Sequence, residues 1–184
     1  MARFSGDESD PRVARTRRDV IEVATATLLG EGWSAVTHTE IARRSGYSKA
    51  TVYAHWPTTF DLIRDVVVHI CEPTTGPSRV GDLRRDLNKA LKRFAETLVD
   101  GKYDRLMAGA IEHAGREEGG DDLRGLLYGH ATHEIRLILT AHLAPDRVKP
   151  STSMLVGAVL VRAAYEGEPV TQDFLSYTID RVLG

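Results

Sequence analysis

The chain has 184 residues, 42% hydrophobic and 27% charged, enough for one sizeable core or for a small module joined to a larger one. No apolar run approaches the ~18 residues that span a bilayer, and a single cysteine, Cys71, excludes an intramolecular disulfide framework and fits a reducing compartment. Net charge is −2 but uneven: from Pro11 to Pro57 seven Arg or Lys face four acids, a surplus of +3, whereas residues 58–184 carry −3 and the first ten −2, so an anionic partner is expected at one end.

The opening MARFSGDESDPR lacks the apolar stretch of a signal peptide, and residues 1–11 are expected to form a disordered arm of a cytoplasmic protein. Helical spacing then dominates the chain. Val20, Val23, Ala24, Thr27 and Leu28 mark a first helix ended by Gly30 and Gly32. Thr37-x-x-Glu40 has the form of a capping box, with Thr37 accepting from the amide at Glu40 and Glu40 reaching back, and it opens a second helix. Gly46 stops that helix, Ser48 caps a short third one with Val52 inward, and Pro57 ends it. Thr58 and Asp61 cap a fourth, carrying Leu62, Ile63, Val66, Val67 and Ile70.

Beyond Cys71 the breaker-rich EPTTGPSRVG reads as a linker. Leu83, Leu87, Leu91, Phe94 and Leu98 then form one helical stripe, and Leu106, Met107, Ala110, Ile111 and Ala114 another, ended by GREEGG. A long helix follows from Asp121 to His142, APDRVKP separates it from a nearly all-apolar helix over Ser151 to Glu166, and Phe174, Leu175, Thr178, Ile179 and Val182 mark the last. The expected fold is all-α, about nine helices: a three-helix N-terminal domain over 12–57 and a helical bundle over 58–184.

Two helices joined by a tight glycine turn, the second of them short, make a helix-turn-helix pattern, whose second helix can enter a DNA major groove. Lys49, Thr51, Tyr53 and His55 would offer charge and hydroxyl groups outward, Ala50 would allow close backbone approach, and Thr37 and Ser48 stand at helix starts that suit phosphate. Spacing alone also suits a solvated helical hairpin.

VIEVATATLLGEGW, VTHTEIARRSGYSKATVY and AHWPTTFDLIRDV, in that order, resemble the first four helices of the TetR family of bacterial transcriptional regulators, and GAVLVRAAYEGEPVTQDFLSYTIDRVL is similar to the last two helices of one of its branches. The resemblance implies an all-α homodimer that binds a double-stranded DNA operator with inverted-repeat symmetry, with a C-terminal domain for dimerisation and for a small-molecule effector that relieves repression. Thr59 departs from the family where many members carry a phosphate-contacting Lys, and Thr27 where a core Leu is usual.

Polar residues on otherwise apolar helical stripes mark a candidate effector pocket: Tyr103, His113, Leu127, His130, Glu134 and Ile138. Val159, Arg162, Phe174 and Ile179 are the candidate dimer contacts. His130 and His133 lack a convincing third and fourth ligand, so no metal site is expected, and HATHE is not HExxH. With no phosphate loop or nucleophile elbow either, no cofactor and no catalytic residue are expected. The expected function is an operator-binding repressor released by a mostly apolar ligand. A constitutive DNA-binding protein with a closed C-terminal core, or a helical enzyme, are the alternatives.

Overall fold

The structure, a computed structural model, describes residues 11–71, 81–99 and 103–184. The expected arm, apart from Pro11, and the expected linker, apart from Gly81, lie outside them. Among the described residues there are nine α-helices and no strand: α1 Pro11–Glu31, α2 His38–Ser45, α3 Lys49–His55, α4 Thr59–Ile70, α5 Leu83–Val99, α6 Tyr103–His113, α7 Gly120–His142, α8 Pro145–Leu160 and α9 Gln172–Leu183. A 3-10 turn, Trp33–Ala35, follows α1, and a π turn, Val161–Tyr165, follows α8. No helix among the described residues is long and apolar enough to cross a membrane.

The chain divides into two compact units. Among the described residues the first holds 11–71 and 109–123, the second 81–99, 103–108 and 124–184. The sequence pattern suggests a boundary at 57/58. In the structure α4 packs along α1, so it joins the first unit.

In the first unit α1 buries Val20, Ile21, Ala24, Thr27 and Leu28; Val23, expected on this face, is only half-buried, and Ile21 is buried beside Val20 instead. Thr27 tolerates the site of a core Leu because its hydroxyl donates to the Val23 carbonyl, 2.8 Å, leaving no orphaned polar group. Opposite lie Val36, Ile41, Val52, Trp56, Leu62 and Val66, all buried. Each such aliphatic side chain contributes about 1.5–3 kcal/mol on leaving water.

The Thr58–Asp61 capping box is complete: each side chain accepts from the other residue's amide, at 3.0 and 3.1 Å. The one expected at Thr37 is only half made. Thr37 accepts from the Glu40 amide, 3.2 Å, but the Glu40 carboxylate is taken by Arg43 and Arg44. The physical reason is that the Thr37 amide already donates to the Ala35 carbonyl, 3.0 Å, and two guanidinium groups attract a carboxylate more strongly than a neutral amide does.

In the second unit α5 packs on α8 and α9, with Leu87, Leu91, Phe94 and Leu98 buried as their spacing predicts. Leu155 and Val159 of α8 and Leu175 and Ile179 of α9 complete that layer. Helix α8 begins six residues earlier than its apolar stretch suggests. Pro145 occupies its first turn, where a missing N–H costs nothing, and Pro150 is carried inside the helix one donor short.

Candidate nucleic-acid interface

Gly46 turns the chain between α2 and α3 at φ 76°, the left-handed region that glycine enters without steric cost, and its N–H donates to the Ala42 carbonyl, 3.1 Å. Ser48 then caps α3 by accepting from the Thr51 amide, 3.0 Å, and its hydroxyl pairs with that of Thr51 at 2.7 Å. Val52 is the inward anchor of this seven-residue helix. Lys49, Ala50 and Tyr53 are exposed, while Thr51 and His55 are half-buried.

Tyr53 does not hang free, although it is 44% exposed. Its ring stacks on the buried imidazole of His38, centroids 3.9 Å apart and planes within 10°, and the Lys49 ammonium lies 5.7 Å from the same ring. His38 is held in turn by a 2.7 Å hydrogen bond between Nε2 and the Trp56 carbonyl. Burial, and then the positive charge of Arg17, push the His55 imidazole below its usual pKa, so near neutral pH it presents a neutral ring.

Behind α3 the module is tied by one carboxylate. Asp65 Oδ2 accepts from Trp56 Nε1 at 2.8 Å and from Arg17 Nη2 at 2.7 Å, and the Arg17 guanidinium lies 5.3 Å from the Trp56 ring centroid. Tyr47, in the turn, donates to Asp19 at 2.9 Å. These bonds join α1, the turn, the end of α3 and α4 into one support. Sequence reasoning misses His38, Trp56, Arg17 and Asp65. A signal exists for His38, which falls on the buried face with Ile41 and Ala42 at i, i+3 and i+4.

The basic surplus is largely consumed within the unit. Arg43 donates twice to Glu40, at 2.9 and 2.5 Å, and Arg44 donates to Glu40 at 2.6 Å and to both oxygens of Glu31. These hydrogen bonds, from Arg43 and then Arg44, hold the Glu40 carboxyl down at about 2. Arg15 and Arg18 both lie 3.8 Å from Asp19. Lys49 makes no ion pair among the described residues.

The candidate pocket residues fall in different places. Tyr103, Leu127 and Ile138 are buried in the second unit, and the Tyr103 hydroxyl donates to the Leu127 carbonyl, 3.2 Å. Glu134 pairs with Arg93, and His130 is exposed. His113 belongs to the first unit, where it stacks on Trp33 at 4.8 Å. Of the candidate dimer contacts, Val159 and Ile179 are buried in their own protomer. Phe174 is half-buried under the Arg162 guanidinium, 5.6 Å from its ring centroid. The exposed apolar residues of α8, the π turn and α9 are Met154, Val161, Tyr165 and Tyr177.

A short capped helix set over a left-handed turn, backed by a buried imidazole and showing lysine and tyrosine outward, defines a helix-turn-helix DNA-binding protein. The sequence model of "Bacterial regulatory proteins, tetR family" matches residues 20–66, which run from α1 into α4. An uncharacterized HTH-type transcriptional regulator of Mycobacterium tuberculosis, Rv1556, is 25% identical over 185 residues, 95% of this chain and 90% of its own. Among solved structures, the TetR family transcription regulator SCO0332 superposes with a TM-score of 0.66 at 27% identity, covering 92% of this chain and 97% of that one. The Flavonoid-responsive Regulator FrrA shares the fold at 21% identity, with a TM-score of 0.63 over 92% of this chain and 94% of its own. The chain is a DNA-binding transcriptional regulator similar to those of the TetR family, whose sequence model it matches over residues 20–66.

Proposed function

We propose that the protein is a cytoplasmic homodimeric repressor that seats α3 of each protomer in the major groove of an inverted-repeat operator and is released by a small, mostly apolar ligand held in its second unit. The observation that carries the DNA half is the outward set on α3. Lys49 and Tyr53 are exposed and Tyr53 is immobilised on His38, so a reading surface is pre-ordered before DNA arrives. Lys49, Ser48 and the Thr37 helix start serve phosphates, and Tyr53, Thr51, Ala50 and His55 face base edges.

The dimer reading is supported by Met154, Val161, Tyr165 and Tyr177, large apolar side chains left exposed on the last elements of one chain. The ligand reading is supported by Tyr103, Leu127 and Ile138, all buried in the second unit, with the Tyr103 hydroxyl bonded to the Leu127 carbonyl. FrrA, named for a flavonoid response, shares the fold.

Selection from random duplexes should return an inverted repeat with half-sites about one helical turn, or a multiple, apart. Lys49→Ala with Tyr53→Ala should abolish its binding and leave the helical circular dichroism intact. Titrating the selected complex with apolar compounds tests the second half. If none changes operator affinity or melting temperature, the second unit is a closed core and the protein binds DNA constitutively.

A further inference from the structure

Arg43 is the most exposed guanidinium on α2, the first helix of the pair, which in this motif crosses the DNA backbone. Its side chain is 67% exposed, yet it is engaged bidentately by Glu40: Nε donates to Oε2 at 2.9 Å and Nη2 to Oε1 at 2.5 Å. A DNA phosphate presents the same paired-oxygen geometry to arginine that a carboxylate does. Arg44 differs from its neighbour. It bridges Glu40 to Glu31 at the end of α1 and lies within 3.4 Å of Thr27 Oγ1, so its bonds tie α1 to α2.

We propose that Glu40 is an intramolecular competitor for the DNA backbone: its carboxylate occupies the Arg43 guanidinium that would otherwise clamp a phosphate, and so sets how weakly the protein holds DNA of any sequence. The proposal rests on α2–α3 being the DNA-binding pair. Three features of the unit make it more than a surface ion pair. Glu40 is freed from its usual capping duty, because the Thr37 amide bonds to Ala35. It is also held by Arg44, whose Nε donates to the same Oε1 at 2.6 Å, so it does not swing away when a phosphate approaches. And it remains ionised across the neutral range, its carboxyl lying near 2. For a protein that must find one operator among very many competing sites, restraint of the sequence-independent contacts matters as much as the base contacts.

The test uses the full chain with two probes, a random-sequence duplex and the selected inverted repeat, across a salt series. Glutamine also suits a helix start, so Glu40→Gln should fold, and thermal melts check that it does. The expected result is binding to the random duplex about tenfold tighter at low salt, with a salt slope steeper by about 0.9 for each phosphate that Arg43 newly clamps. Adding Arg43→Gln to Glu40→Gln should erase both changes, and Glu31→Gln, which loosens Arg44 alone, should leave the slope as in the wild type. The proposal is overturned if Glu40→Gln binds the random duplex no tighter, if its tighter binding survives Arg43→Gln, or if Arg43→Gln alone flattens the wild-type slope. That last result would mean Glu40 delivers Arg43 to phosphate instead of withholding it. If the wild type binds neither duplex, the DNA-binding assignment of α2–α3 falls first and this proposal with it.

Discussion

The indole of Trp33 occupies the space that a Cβ on Gly109 would need: a methyl added there would overlap Nε1, Cε2 and Cδ1 of the ring. His113 closes the other side, stacked on the indole with planes 16° apart and its Nδ1 hydrogen-bonded to the Gly109 carbonyl at 2.8 Å. Trp33 Nε1 is buried in this stack without a hydrogen-bond partner, a cost that the packing of the ring offsets. Gly109→Ala reads the packing through its sign. A glycine inside an open helix gains up to ~1 kcal/mol on becoming alanine, whereas here overpacking should cost about 1–3 kcal/mol. Trp33→Leu in the same chain should recover part of the loss. Chemical denaturation of the three variants measures it, and a stabilised Gly109→Ala would show that the ring does not fill this space.

Asp65 is the second joint to test, because one of its oxygens serves both Trp56 and Arg17. Trp56 is only 1% exposed, so Asp65→Ala leaves a buried indole N–H without an acceptor and should cost about 1–3 kcal/mol. Asp65→Asn retains an acceptor oxygen and should cost less. Equal losses for the two variants in urea unfolding would mean that the carboxylate's charge on Arg17, and not the indole bond, carries the effect.

How far these joints are legible in the sequence depends on how far apart along the chain the partners lie. Helical spacing is local, so the outward set on α3, the Gly46 turn and the Thr58 cap can be read directly from residues three or four apart. His38 is within reach of the same argument, since it shares a face with Ile41. Glu40 departs from expectation because a capping box and an i, i+3 ion pair draw on the same residue. Which one forms depends on the Thr37 amide, and that amide is taken by Ala35. Gly109 suggests open space, and no local pattern reveals that Trp33, far away along the chain, fills it. Similarly, the apolar circumference of α8 signals a covered helix but not that Val159 turns inward while Met154 turns out.

Acid sensitivity should be visible in the first unit. The Glu40 carboxyl is lowered from 4.5 to about 2 by Arg43 and Arg44, and Glu31 is lowered by Arg44. A carboxyl depressed in the folded state contributes stability that is complete above its unfolded pKa and is lost as pH falls through the folded value. The Glu40 contribution is therefore expected to fade from about pH 4.5 toward 2. Melting temperature followed through that window should fall less steeply in Glu40→Gln than in the wild type, and the difference should shrink in high salt because the pairs are exposed. Parallel acid profiles would show that these pairs contribute nothing to folding.

The proposed dimer face makes the last prediction, and Arg162 sharpens it. Its guanidinium lies 3.2 Å from Glu166 Oε2 and 3.9 Å from Glu168, with Nε donating to the Pro169 carbonyl at 3.4 Å. It is thus satisfied within its own chain, in the π turn that ends α8, and needs no acid from a second copy. The association should instead depend on the exposed apolar residues, Met154 at 57% and Tyr177 at 62%. In a two-fold interface every substitution acts twice, so removing about 1.5 kcal/mol of burial per side chain weakens dimerisation about a hundredfold. Met154→Glu combined with Tyr177→Glu should give a monomer at micromolar concentration by light scattering, with its helical circular dichroism retained, while Arg162→Gln remains dimeric. If the double variant stays a dimer, the copies meet on another surface; if Arg162→Gln dissociates, its guanidinium reaches across to the partner after all.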